Sequence, residues 1–214
     1  MTADAPATRP SWQQRYTSGE ALPWDSGVPD EHLVAFVEER SITGRALDVG
    51  CGTGTNARWL STRGLDVVGI DLAPAAIERA RAVDAPGPGR VRFLVHDILA
   101  APLPDGPYDL ICDRGCFHTF QEAGDRELFA RRVAEALAPD GLWLSLIGST
   151  EGPPRSSGPP RRTAAEIVVA IEPHLRIESL RAVEFGEVNG HVPQAWSCLA
   201  RRRGVPAQPS TRWE

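Results

Sequence analysis

The 214 residues, 42% apolar and 24% charged, suit one folded α/β domain with a modest appendage. No apolar run nears the roughly 20 residues of a membrane span, so no membrane partner is expected. A net charge of −5 without a concentrated basic face argues against a nucleic-acid partner, because binding the phosphate backbone takes clustered Lys and Arg.

In chain order, residues 1–10 lack the basic start and apolar stretch of a secretory signal and read as a flexible tail, as do residues 204–214. Residues 11–25 hold Trp12, Tyr16 and Trp24 in a polar stretch punctuated by Gly and Pro; such aromatics either pack onto a core or cap a ligand. Residues 30–39 read as a helix with Leu33, Phe36 and Val37 on one face. A first strand over 45–50 is followed by a helix over 55–63 that Gly64 stops. A strand over 66–71 leads to a helix over 74–83 with Pro74 in its first turn. Strands over 91–96 and 108–113, a helix over 125–137 and a fifth strand over 142–147 follow. Beyond the Pro/Gly/Ser-rich stretch 151–162, Thr163-Ala-Ala-Glu166 is a capping box that opens a helix. Runs around 176–185 and 195–201 read as a closing strand pair. Strands alternating with helices, with little in/out alternation in the strands, predict a Rossmann-like, doubly wound, mostly parallel sheet with helices on both faces.

Four cysteines, Cys51, Cys112, Cys116 and Cys198, form no C-x-x-C pair, which fits free thiols in a cytoplasmic protein. No metal centre is expected, since Cys112, close in sequence to Cys116 and His118, falls inside an apolar strand.

The chemistry gathers where strands end. Gly50, Gly52 and Gly54 alternate between the first strand and its helix, making a tight turn whose backbone can approach a ligand closely. Asp48, Asp71, Asp97 and Asp113 stand at the carboxyl ends of the first four strands, where open α/β sheets bind ligands. Four carboxylates at one edge repel each other unless a cation belongs there. A sulfonium with an α-ammonium, a ribose diol and an adenine amino group fits: Asp48 and the glycine loop for the methionine end, Asp71 for the ribose, Asp97 and the Ile98 backbone for the adenine. A nicotinamide dehydrogenase wants G-x-G-x-x-G, and Thr55 stands where its third glycine belongs.

Over residues 43–147 the chain resembles the class I S-adenosylmethionine-dependent methyltransferases. Asp48-Val-Gly50-Cys51-Gly52-Thr-Gly54 is similar to the first motif of that family, Asp71 to its acidic ribose position, and His96-Asp97-Ile98 to its adenine position. The resemblance implies a seven-stranded sheet with one antiparallel strand near the edge, and S-adenosylmethionine as cofactor with S-adenosylhomocysteine as product. The expected cofactor set extends to Thr55, Asn56, Leu72 and Asp113. Trp12, Tyr16 and then Leu22-Pro-Trp24-Asp25-Ser-Gly27-Val-Pro29 resemble the lead of the thiopurine and thiol methyltransferase branch. That resemblance implies that Trp12, Tyr16 and Trp24 close over the cofactor, so residues 11–42 are expected to cap the site. Residues 43–203 then form the methyltransferase domain, with 151–162 as a lid.

Methyl transfer from a sulfonium is an in-line displacement by a deprotonated acceptor held near the methyl carbon. Asp113-Arg114-Gly-Cys-Phe-His118, just after the fourth strand, is the expected catalytic stretch. His118 is the candidate base, and Arg114 the candidate holder of an anionic acceptor. The alternative reading has Arg114 bridging to an aspartate and His118 capping the next helix. The loop lacks the Asp/Asn-Pro-Pro-Tyr/Phe motif of methylases acting on nucleic-acid bases. The expected partner is a small-molecule acceptor, a thiol or an O- or N-nucleophile, for a monomer or homodimer; a non-catalytic cofactor-binding protein is the remaining alternative.

Overall fold

A computed structural model of the chain describes residues 11–154, 160–186 and 192–203. The tails expected at 1–10 and 204–214 lie outside the described residues, as do residues 155–159 of the expected lid. The elements run α1 (Trp12–Thr17), α2 (Glu31–Arg40), β1 (Arg45–Val49), α3 (Thr55–Thr62), β2 (Asp66–Asp71), α4 (Pro74–Arg81), β3 (Arg90–Val95), β4 (Tyr108–Arg114), α5 (Ala123–Ala136), β5 (Leu137–Gly148), α6 (Ala164–Ile171), β6 (Leu175–Glu184) and β7 (Gln194–Arg202). A single 3₁₀ turn, Phe117–Thr119, follows β4.

The strands form one sheet in the order β3-β2-β1-β4-β5-β7-β6. β1 to β5 pair in parallel, and β7 runs antiparallel to both β5 and β6. Strand order reverses at β1 and β4, so their carboxyl ends open the crevice in which such sheets bind ligands. β1 and β2 are buried along almost their whole length, as strands covered on both faces must be. β3 is not: it is an outer strand with Val95 half exposed. The continuous apolar pattern therefore holds in the middle of the sheet and fails at its edge.

Side chains alternate between faces along a strand. Leu47 and Val49 of β1 join Ile111, Phe129, Val133, Trp143, Ile167 and Ile171 in the core under α5 and α6. Ala46 joins Leu33, Val37, Leu60, Ile77, Leu110 and Cys112 under α2, α3 and α4. The rings of Phe117, Phe129 and Trp143 pack within 5.5–5.7 Å of one another; each contributes roughly 1.5–3 kcal/mol by burial. α1 belongs to neither core. Tyr16 packs with Ala73, Ala75 and Ala76 of the loop before α4 and its first turn, flanked by Trp12 and Leu22.

β5 is longer than its sequence suggests. Its expected start is at 142, yet the strand starts at Leu137, which pairs with Tyr108, and extra residues in β5 then bring Leu142 opposite Leu110. Gly141 lets the strands approach: a Cβ there would lie 2.6 Å from the Tyr108 carbonyl oxygen.

Candidate functional site

The loop from β1 to α3 is built on three left-handed glycines, Gly50 (φ 70°), Gly52 (φ 55°) and Gly54 (φ 85°), the last of them the N-cap of α3. Side chains other than glycine rarely adopt this backbone. The loop is also closed in from two sides. A Cβ on Gly50 would meet Cys116 Sγ at 2.9 Å, and one on Gly52 would meet the Tyr16 hydroxyl at 2.9 Å. The floor expected from the sequence thus lies between α1 and the turn after β4, with the first turn of α3 at its end.

The strand-end aspartates stand at the same end of the sheet but hold different posts. Asp71 accepts the Gly52 N–H through Oδ2 at 3.0 Å and the Ala73 N–H through Oδ1 at 2.9 Å, tying β2 to the glycine loop; burial pushes its carboxyl up. The His96 N–H donates to the Asp71 carbonyl at 2.9 Å, and Asp97 accepts the Leu99 N–H at 2.9 Å. Ile98 is buried and Leu72 exposed, so Leu72 offers an apolar surface beside Asp71. Asp48 is buried beneath the loop with Cys112 Sγ 3.9 Å from Oδ1, and Oδ2 has no hydrogen-bond partner among the described residues. Burial, reinforced by Asp113, pushes its carboxyl up to about 7.

Asp113 departs from its expected place at the ligand. Its register partner is Val49, which puts it on the α5–α6 face of the sheet, opposite to Asp48. Oδ1 accepts the N–H groups of Cys116 (3.2 Å) and Phe117 (2.9 Å), and Oδ2 accepts the Trp143 indole N–H at 3.0 Å. Burial pushes this carboxyl up to about 6 against those donors. Asp113 therefore shapes the turn from beneath.

The N-terminal aromatics meet over the loop. The Trp24 indole N–H donates to the Tyr16 hydroxyl at 3.3 Å, and the Trp12 and Trp24 rings sit edge to face at 5.8 Å. Burial and nearby Asp71 raise the Tyr16 phenol above its ordinary value, so it stays protonated. Three contacts that the sequence reading missed hold this segment down. The Ala75 N–H donates to Gln13 Oε1 (3.0 Å), the Thr53 hydroxyl to Asp25 (2.6 Å), and the Asp30 N–H to Asn56 Oδ1 (3.0 Å). Polar contacts across 26 to 62 residues leave no periodic trace in a sequence. A shallow depression of about 720 Å³ outside the loop shares Thr53 and Thr55 with it but none of the four strand-end aspartates.

In the turn after β4, Arg114 follows the alternative reading. Its Nε donates to Asp30 Oδ2 at 2.7 Å, and its guanidinium lies 4.8 Å over the Phe185 ring. Asp30 is itself the N-cap of α2, accepting from His32 and Leu33. His118 is buried, and its Nδ1 accepts the Gly148 N–H at 2.5 Å. Behind it, two buried arginines missed in the sequence converge on one carbonyl: Arg126 and Arg162 donate to the Phe120 oxygen at 2.9 and 2.8 Å. Burial pushes the Cys51, Cys112 and Cys116 thiols up, and neighbouring aspartates push them further. Among the described residues, no His/Cys/Asp/Glu group could hold a metal ion, and no helix is long and apolar enough to cross a membrane.

Residues 46–141 match a family described as a methyltransferase domain. The chain is 35% identical over 152 residues to the probable thiol methyltransferase 2 of Arabidopsis thaliana, covering 70% of this chain and 65% of the relative. It is 30% identical over 155 residues to the thiocyanate methyltransferase 1 of Brassica oleracea, covering 72% and 67%. The chain thus spans about two thirds of the length of these curated relatives. A solved structure from work on converting a disulfide bond into a thioacetal group during echinomycin biosynthesis superposes with a TM-score of 0.74 at 27% identity, covering 89% of this chain and 90% of that one.

Proposed function

This chain belongs to the class I S-adenosylmethionine-dependent methyltransferases, and on that premise we propose that it transfers the methyl group of S-adenosylmethionine to a small molecule, with a thiol as the acceptor. Its residues fit the cofactor. The glycine loop and the first turn of α3, with Thr55 and Asn56, would hold the methionine end over the unpartnered Asp48 oxygen. Asp71 would take the ribose hydroxyls, and Asp97, the Ile98 backbone, His96 and Leu72 would enclose the adenine. Trp12, Tyr16 and Trp24, with Cys51 beside them, would close the top. When bound, the cofactor supplies a methyl group on a cationic sulfur, and the carboxylates around the crevice favour that charge.

The carrying observation is the Gly52 junction. One residue donates its N–H to Asp71 and meets the Tyr16 hydroxyl, so the segment 11–42, the glycine loop and the end of β2 converge at one point. This supports reading residues 11–42 as a cap on the domain 43–203, and Asp113 as a support for the acceptor-side turn. Similarity to a probable thiol methyltransferase and a thiocyanate methyltransferase supports a sulfur acceptor. So does thiol chemistry, since an acceptor thiol near pKa 8.5 is partly ionised at neutral pH. We further propose a cytoplasmic monomer or homodimer.

Calorimetry with S-adenosylmethionine and S-adenosylhomocysteine tests the cofactor assignment; no heat at millimolar ligand overturns it. Turnover of a panel of thiols, phenols and amines tests the acceptor. Methylation of phenols or amines alone would replace the sulfur reading.

A further inference from the structure

The turn between β4 and α5 is held at both ends. At its start Gly115 is left-handed (φ 77°), and Asp113 accepts the N–H groups of Cys116 and Phe117. Cys116 is seated there on the glycine loop, its Sγ 2.9 Å from where a Cβ on Gly50 would stand. Burial raises the Cys116 thiol, and Asp113, Asp71, Asp48 and Asp97 all add to the effect, so this side chain lies among the four strand-end aspartates. At the far end of the turn, two arginines grip the backbone. Arg126 Nη1 donates to the Phe120 carbonyl at 2.9 Å and to the Gln121 carbonyl at 2.6 Å, and Arg162 Nη2 donates to the Phe120 carbonyl at 2.8 Å.

The grip is anchored in the rest of the fold. The Arg162 N–H donates to the Gly148 carbonyl at 2.8 Å, and the Arg162 carbonyl accepts the Thr150 N–H at 3.2 Å and the Trp196 indole N–H at 3.1 Å. The capping box of α6 aims Glu166: Oε2 accepts the Thr163 N–H at 2.9 Å, which leaves Oε1 for Arg162 at 3.3 Å and Arg126 at 3.6 Å. The turn is thus tied to β5 and β7 through Arg162 and to α5 through Arg126.

This arrangement is poor value as a source of stability. The Arg126 and Arg162 side chains are only 7% and 9% exposed, yet they share one carboxylate. Neither Nε–H has a hydrogen-bond partner among the described residues. Burial, and then the Arg126 charge, disfavour the Arg162 cation. Apolar side chains of similar volume stabilise such sites as well or better. What the second guanidinium adds is location, because it joins the end of the turn to strands that the first does not reach.

We propose that Arg126 and Arg162 are positioning residues that clamp the end of the turn after β4, so that Cys116 keeps its seat on Gly50 and the turn forms a fixed acceptor-side wall beside the cofactor loop. This deepens the methyltransferase reading and rests on it for the acceptor. In-line transfer tolerates little displacement of the groups around it. A released turn therefore lowers turnover while the cofactor keeps its own contacts.

The first test reads the seat without any acceptor. The cofactor-free, full-length protein is treated with N-ethylmaleimide, and mass spectrometry follows each cysteine. Arg162→Met removes the cation in excess over Glu166, and Arg126→Lys keeps the charge but not the fork. Each should speed the labelling of Cys116 about tenfold or more while Cys198, in the core, stays as slow as in the parent protein. Unchanged Cys116 labelling overturns the proposal, and so does a parallel rise at Cys198, which would make the pair a general stabiliser. Arg162→Met should also melt within a few degrees of the parent protein or above it; a clearly lower midpoint counts for the stabiliser. The second test is kinetic, with thiophenol or the fastest acceptor of the panel. In both variants kcat/KM should fall about tenfold or more with the S-adenosylmethionine Kd within about twofold. Equal losses in the two constants, or none in kcat/KM, remove the clamp from the reaction. If the parent protein binds no S-adenosylmethionine, the proposed function fails while the labelling still reads the clamp.

Discussion

Gly52 carries both a left-handed backbone and a neighbour, Tyr16, where a methyl group would have to go. Gly52→Ala should therefore lower cofactor affinity by at least about tenfold, the backbone strain alone costing about 1 kcal/mol; calorimetric titration reads the loss. Asp48 differs from Asp71 and Asp113 in lacking donors for one oxygen. Its carboxyl is raised from 3.8 to about 7 in the fold, so the folded state binds the proton more tightly than the unfolded chain does. The stability this contributes is complete below about pH 4 and is lost as pH rises through about 7. Urea midpoints of the cofactor-free protein should fall between pH 5 and 8, and Asp48→Asn should flatten that slope; an unchanged slope would assign it elsewhere. Positions of the strand-end aspartates are legible in the sequence, because each stands at or near the end of a run that reads as a strand. Their division of labour is not, since it depends on the register that pairs Val49 with Asp113 and so turns Asp113 to the other face.

At the level of elements, the helices and strands follow from caps, glycines and apolar periods. The capping box of α6 forms as its four residues predict, and α4 starts on Pro74. What escapes is set by contacts between elements. β5 begins five residues before its expected start because its first residue pairs with β4 across a bulge. Asp30, expected as the first residue of the helix, is its N-cap, and its second bond, to Arg114 on a strand 84 residues away, has no local signature. Asp30→Ala removes the cap and leaves a half-buried guanidinium without its partner. The expected cost is about 3 kcal/mol, between the worth of a cap and that of a broken buried pair, measurable by chemical unfolding. Loss of only the cap, about 1 kcal/mol, would show that Arg114 finds another acceptor.

For the whole molecule, the seven strands and the one reversed strand near the edge follow from the family resemblance, and the structure bears both out. The stretch 151–162, expected as a lid, is described at 151–154 and 160–162. The expected cap, 11–42, consists of unlike halves. α2 contributes Leu33 and Val37 to a main core, so it cannot be removed without unfolding. α1 rests on α4 through a small cluster of its own. A truncation starting at Gly19 should keep a single cooperative melting transition within a few degrees of the full chain, yet weaken cofactor binding about tenfold or more. Collapse of the transition would mean that α1 is integral to the fold.

Tyr16 and its companions form a patch separate from both main cores, so the proposed roof is joined to the rest of the molecule by a small contact of its own. On the proposed reading of residues 11–42 as a cap, the nucleoside would enter and leave by a motion of some six residues, and changes at Gln13 or Trp12 would adjust its residence time while leaving the two main cores intact.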